Sequence, residues 1–180
     1  MYSLPFRSIR SLLTLTTFAS LLAGSLSAKA TPLRAPEVPD EIQVREGNRV
    51  YFHGYAEGVQ IYTWNGSTWG VSVPRATLYD KHGHIVATHY AGPTWESRSG
   101  SKVIGSVIPP RVTVDSNSIP WLLLQADHTE GHGIFTKTTF IHRVNTVGGL
   151  APSQPGAFVG QVAEVPYVAD YFFYRKANRH

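Results

Sequence analysis

Val59-Gln60-Ile61-Tyr62-Thr63-Trp64-Asn65-Gly66-Ser67-Thr68-Trp69 is the stretch that decides the fold. Its first six residues alternate with a period of two. Val59, Ile61 and Thr63 point one way, and Gln60, Tyr62 and Trp64 point the other. The β-branched and aromatic side chains in it suit a pleated surface. Asn65-Gly66 then supplies a strong hairpin signal, with residues 69–73 as the returning strand and Trp64 facing Trp69 near the turn. Asn65-Gly66-Ser67 is also a glycosylation sequon, which matters only in a eukaryotic secretory host, so the turn reading is preferred.

The same grammar extends in both directions. Residues 49–55 read as a preceding strand, separated from the first by a turn at Glu57-Gly58. Residues 78–84 read as a strand end and turn with Gly83 at the bend. Further strands are expected over 84–90, over 102–108 where Pro109-Pro110 closes the run, and over 119–126. The longest candidate is 134–145, in which Ile134, Thr136, Thr138, Phe140, His142 and Val144 share one face. Residues 148–160 form a loop rich in Gly, Pro and Ala. The aromatic density of 167–174 favours a strand over a helix. With no repeat, heptad or amphipathic helix, the chain reads as all-β, a single-domain antiparallel sandwich or barrel.

The amino end has the marks of an export signal over residues 1–30. Arg7 and Arg10 precede an uncharged run over 11–27, and Ala28-Lys29-Ala30 offers small residues for cleavage before Thr31. An uncleaved anchor is the other reading, but the run is short for a span and interrupted by Gly24. A Pro-rich extended leader follows over 31–41, with the β domain over 42–180. The expected location is exported, periplasmic or extracellular, with no membrane span after cleavage. Of 16 basic residues, Arg7, Arg10 and Lys29 belong to the leader; 13 then stand against 12 acidic ones. Such balance gives no basic face for nucleic acid. The absence of cysteine removes disulfides, thiolate metal sites, Cys nucleophiles and an N-terminal lipobox.

Several pieces in order resemble a family of uncharacterised secreted proteins, domain-of-unknown-function family 3455. They are Gly58-Val59-Gln60-Ile61-Tyr62, the run from His89 to Glu96, and Ile119-Pro120-Trp121-Leu122-Leu123. Ile141-His142-Arg143-Val144-Asn145-Thr146 with Gly148-Gly149, and Val165-Pro166-Tyr167-Val168-Ala169-Asp170-Tyr171, complete the set. The resemblance implies one exported domain and assigns no reaction. The family often carries a Cys where this chain has Thr63 and another in the Pro-rich loop, so a disulfide typical of it is missing. It also tends to have Asp before the Gly-Ser at Ser99-Gly100-Ser101. A dehydrogenase label carried by some relatives finds no Gly-x-Gly-x-x-Gly after a strand here.

The most distinctive chemistry lies in residues 89–101, read as a loop that joins His89, Tyr90, Trp95, Glu96 and Arg98 to the Gly92-Pro93 turn. Rings supply flat apolar area while imidazole, carboxylate and guanidinium fix orientation. A structural loop with Trp95 plugging the core stands beside that reading. His89 with Glu96 is a candidate acid/base pair, but a glycosidase needs a second carboxylate, and spacing selects none among Glu57, Asp80, Asp127 and Asp170. No Gly-x-Ser-x-Gly elbow is present. His82, His84, His128 and His132 do not nominate four ligands, so no metal or other cofactor is expected. Gln60, Tyr62 and Trp64 share one face, as do Tyr51, His53 and Tyr55; pairing of those strands would make a polar-aromatic surface. Trp121 reads as core, and Arg143 with Asp170 as a structural ion pair.

The leading expectation is non-catalytic binding of a small molecule or saccharide through His89, Tyr90, Trp95 and Glu96, with Gln60 and Tyr62 as neighbours. The alternatives are a secreted hydrolase-type enzyme using Glu96 and His89, and a structural envelope protein. The oligomeric state stays open.

Overall fold

The structure is a computed structural model and describes residues 33–178. The expected signal segment, the start at Thr31 and His180 lie outside the described residues. Eight strands follow a short 3-10 helix, Asp40–Ile42: β1 Asn48–Thr63, β2 Val73–Tyr79, β3 Ile85–Tyr90, β4 Thr94–Ser97, β5 Lys102–Val112, β6 Trp121–Glu130, β7 Phe140–Gly148 and β8 Val162–Lys176. Each pairs antiparallel with the next, and β8 pairs with β1, so the sheet closes. Of the two all-β architectures open to the sequence, the chain forms the up-and-down barrel. Closure leaves no unpaired edge.

The alternation around Tyr62 is as expected, but residues 49–64 are not two strands. β1 runs unbroken through Glu57-Gly58. Gly58 is there for proximity and not for turning. A Cβ on it would stand 2.2 Å from the Arg75 carbonyl oxygen and 2.5 Å from Ala76 Cα across the β1–β2 pair. The hairpin tip does form: Asn65 Oδ1 accepts from the backbone of Ser67 and Thr68 at 2.9 and 2.8 Å, and Trp64 meets Trp69 with centroids 5.4 Å apart. Regular pairing resumes only at Val73.

Three other boundaries move. Pro109-Pro110 does not end β5; it sits at a register shift between Ile108 and Val112, where a missing ladder donor is tolerated. Ile134, Thr136 and Thr138 precede β7 in a turn, where the Thr136 hydroxyl accepts from Gly133 N at 2.9 Å. Residues 89–101 are no loop: they contain the end of β3, all of β4 and two tight turns.

Two apolar clusters result. Inside the barrel are Ala56, Leu78, Trp95, Leu124, Ile141, Tyr171 and Phe173 with their neighbours. Outside, Leu123, Phe140, Val144, Phe172 and Tyr174 would face water, but the leader crosses them. Val38, Ile42 and Val44 pack there, Ile42 is fully buried, and His142 Nε2 lies 2.7 Å from the Ile42 carbonyl. The leader is therefore part of the packed unit, and the expected boundary at 41–42 falls inside the 3-10 helix.

Candidate functional site

One end of the barrel is open. Strand β3 delivers His89 there and β4 delivers Trp95, paired residue to residue in the hairpin. Both point inward, at 3% and 1% exposure. Their rings stack with centroids 4.3 Å apart and planes 8° off parallel, and Tyr171 from β8 meets both edge-on. Above them is a cavity of about 260 Å³. Its polar wall is Gln60, Ser72, His89, Trp95, Arg143 and Tyr171. Its apolar wall comes from Val107, Leu122, Leu124 and the lip at Val71, Val73 and Pro93, with Arg111 at the same cavity.

Period-two alternation sends the other half of the hairpin outside. Tyr90 donates its hydroxyl hydrogen to Glu96 Oε2 at 2.7 Å, and Lys102 Nζ is 3.6 Å from the same oxygen. Among the six residues expected to act together, Gln60, His89 and Trp95 line the cavity, whereas Tyr90 and Glu96 form an exterior polar group. Tyr62 points inward but bonds to the Gly149 carbonyl at 2.6 Å, tying down the loop before β8. The Glu96–His89 pair is not formed, because the sheet separates the two side chains. The Tyr51, His53 and Tyr55 set does not join the Gln60 set either. His53 stacks on Phe172 on the outer surface, 4.0 Å between centroids.

The expected Arg143–Asp170 pair is likewise absent. Arg143 follows Ile141 into the barrel and donates from Nη2 to the Pro120 carbonyl at 2.8 Å. Asp170 points out, 3.3 Å from His53 and 2.7 Å from Asn145. Arg143 and Tyr171 are the site residues that motif reading missed. A signal existed: Arg143 lies in Phe140-Ile141-His142-Arg143-Val144, a run buried at every position, where an arginine is out of place unless it serves a polar interior.

The interior polar groups are under-satisfied. Gln60 Nε2, Trp95 Nε1, Arg143 Nε and the Tyr167 and Tyr171 hydroxyls are buried without a well-formed hydrogen bond inside the protein. Buried polar atoms normally have partners, so five in one place are informative. They do sense one another. Burial pushes the Tyr171 hydroxyl up while the Arg143 charge and its neighbours pull it down. Burial, then the proximity of Tyr171, raises Tyr167. Burial drives His89 down to about 3 despite its bond to the Thr94 carbonyl, and the Arg143 charge adds to the fall. His89 Nδ1–H donates to that carbonyl at 2.9 Å, so the neutral ring has its proton on Nδ1 and a lone pair on Nε2.

No helix among the described residues is long and apolar enough to cross a membrane. His84 pairs with Asp80 at the β2–β3 turn and His128 with Glu130 at the end of β6, and none of the four lines the cavity. The sequence matches the model of a family described as a protein of unknown function (DUF3455) over residues 45–175. No curated protein and no solved structure matches.

Proposed function

The chain belongs to the DUF3455 family of unknown function, and from that premise we propose that it is a non-catalytic small-molecule-binding barrel whose site is the open-ended cavity over His89 and Trp95. The observation that carries this reading is the convergence of Gln60, Trp95, Arg143 and Tyr171, each with an unpartnered buried polar atom, on the wall of one cavity. A closed eight-stranded barrel is just wide enough to be filled by side chains or to hold one small ligand. This one does both, with aromatic packing below and space above. The role of His89 is recognition: a ring held near a pKa of 3 is a poor proton acceptor at neutral pH. Among the described residues no carboxylate lines the cavity, which supports binding over acid/base turnover. On the leader sequence, we place the protein outside the cytoplasm.

The test is a fragment screen read by the indole N–H resonance of Trp95 and by thermal shift. Small molecules that fit should move that resonance and raise the melting temperature. Leu124→Trp, which fills the cavity, should remove both responses while keeping the fold. Binding that survives in Leu124→Trp, or that moves only the exposed Tyr90–Glu96 face, refutes the assignment.

A further inference from the structure

Arg143 lies on the polar wall, 9% exposed, with one described hydrogen bond from Nη2 and none from Nε. A guanidinium keeps its charge inside a protein. Buried charges are ordinarily paired, since an uncompensated one is costly. No Asp or Glu lies within 4.0 Å of it among the described residues, and the cavity wall contains no acidic side chain. Asp170, the nearest acid in the β7–β8 register, is directed to the opposite face of the sheet. The second cation of the cavity, Arg111, is also without an acidic partner among the described residues.

The remaining polar groups agree with that charge. Gln60 Nε2, beside the Tyr167 hydroxyl, and Trp95 Nε1 are donors without a well-formed hydrogen bond, and the Tyr171 hydroxyl, kept protonated by burial, is a third. Opposite them stand Val107, Leu122 and Leu124, with Val71 at 89% exposure on the lip. The volume of about 260 Å³ is below the roughly 300 Å³ where pockets for drug-sized ligands begin.

Resting on the cavity reading above, we propose that the ligand is a small monocarboxylate with an apolar body, its acid group received by Arg143 and its body lying against Leu122, Leu124 and the lip. A planar carboxylate matches the fork of a guanidinium. Gln60 and Trp95 supply further donors, and His89 and Trp95 close the floor. The carboxylate provides the counter-charge that the protein itself withholds.

The probes are acetate, hexanoate and benzoate, each against its amide, titrated into the wild-type protein while the Trp95 indole resonance is followed. Hexanoate or benzoate should bind at least tenfold tighter than its amide. Acetate, lacking the body, should bind more weakly than either. Arg143→Gln should erase the preference for acid over amide, and Leu124→Trp should abolish binding with Arg143 intact. Amides that bind as tightly as acids would overturn the anion assignment and leave the cavity standing. Failure of both acids and amides to reach Trp95 would remove the cavity reading too. The acid-to-amide ratio is measured on the natural sequence, so it decides the matter even if Arg143→Gln does not fold.

Discussion

His89 and Trp95 are cross-strand partners whose rings lie 4.3 Å apart and 8° from parallel, and together they are the floor of the barrel cavity. Each is held as tightly as a core residue, yet each also faces the open end. That dual position sets the consequences of changing either one.

Trp95 contacts Tyr171 and Phe173 edge-on as well as His89. Trp95→Ala is expected to cost about 3–5 kcal/mol of stability, as large aromatic deletions do, measured by urea unfolding. Trp95→Phe should keep the fold and remove only the indole donor. A Trp95→Ala protein of unchanged stability would show that the ring is not packed as described.

Glu96 sits outside, a third exposed, between Tyr90 and Lys102. Glu96→Gln should change stability by less than about 1 kcal/mol and leave cavity binding within about twofold, the error of a double-mutant comparison. Loss of binding in this variant would return Glu96 to the site.

Acid should weaken the fold through its buried histidines. Burial, only partly offset by the Thr94 bond, brings His89 from 6.5 to about 3. Burial also lowers His142, against its bond to the Ile42 carbonyl. The unfolded chain takes up these protons near pH 6.5 and the folded chain below it, in the case of His89 only near 3. Their contribution is thus complete above pH 6.5 and is lost as pH falls below it, for His89 down to about 3. The slope is about 1.4 kcal/mol per pH unit for each histidine that is protonated only on unfolding. Urea midpoints from about pH 7 down to 4 measure it, and His89→Gln should flatten its share. A flat profile over that window would contradict the burial of both rings.

Ile42 is fully buried at the end of the leader, where that segment crosses the outer face of the barrel. Ile42→Ala should destabilise by about 2–5 kcal/mol, with hydrogen exchange rising first around Leu123, Phe140 and Phe172. An unaffected melting curve would mean that the leader does not staple that face.

The all-β class was readable without coordinates, because period-two alternation and turn residues are local properties. Gln60, Tyr62 and Trp64 fall on one face in the sequence and in the barrel alike. Membership in the DUF3455 family was readable as well, from ordered segments spread over residues 58–171. What stayed hidden was which face is the interior, since alternation defines two faces and ranks neither. Tyr90 and Glu96 lie one position from His89 and Trp95, so proximity in sequence made four neighbours into one apparent site. The pleat assigned them to opposite sides.

Arg143 shows the same limit from the other direction. Its sequence neighbours are apolar and Asp170 offered a plausible partner, so a structural pair was the natural expectation. Only closure of β8 onto β1 brought Arg143, Gln60, Trp95 and Tyr171 from four different strands into one enclosed space. Local alternation determined that this chain makes sheets with two chemically distinct faces. The decision that one face encloses a charged, donor-rich cavity belongs to long-range strand pairing, because burial is a property of the closed surface and of no single segment.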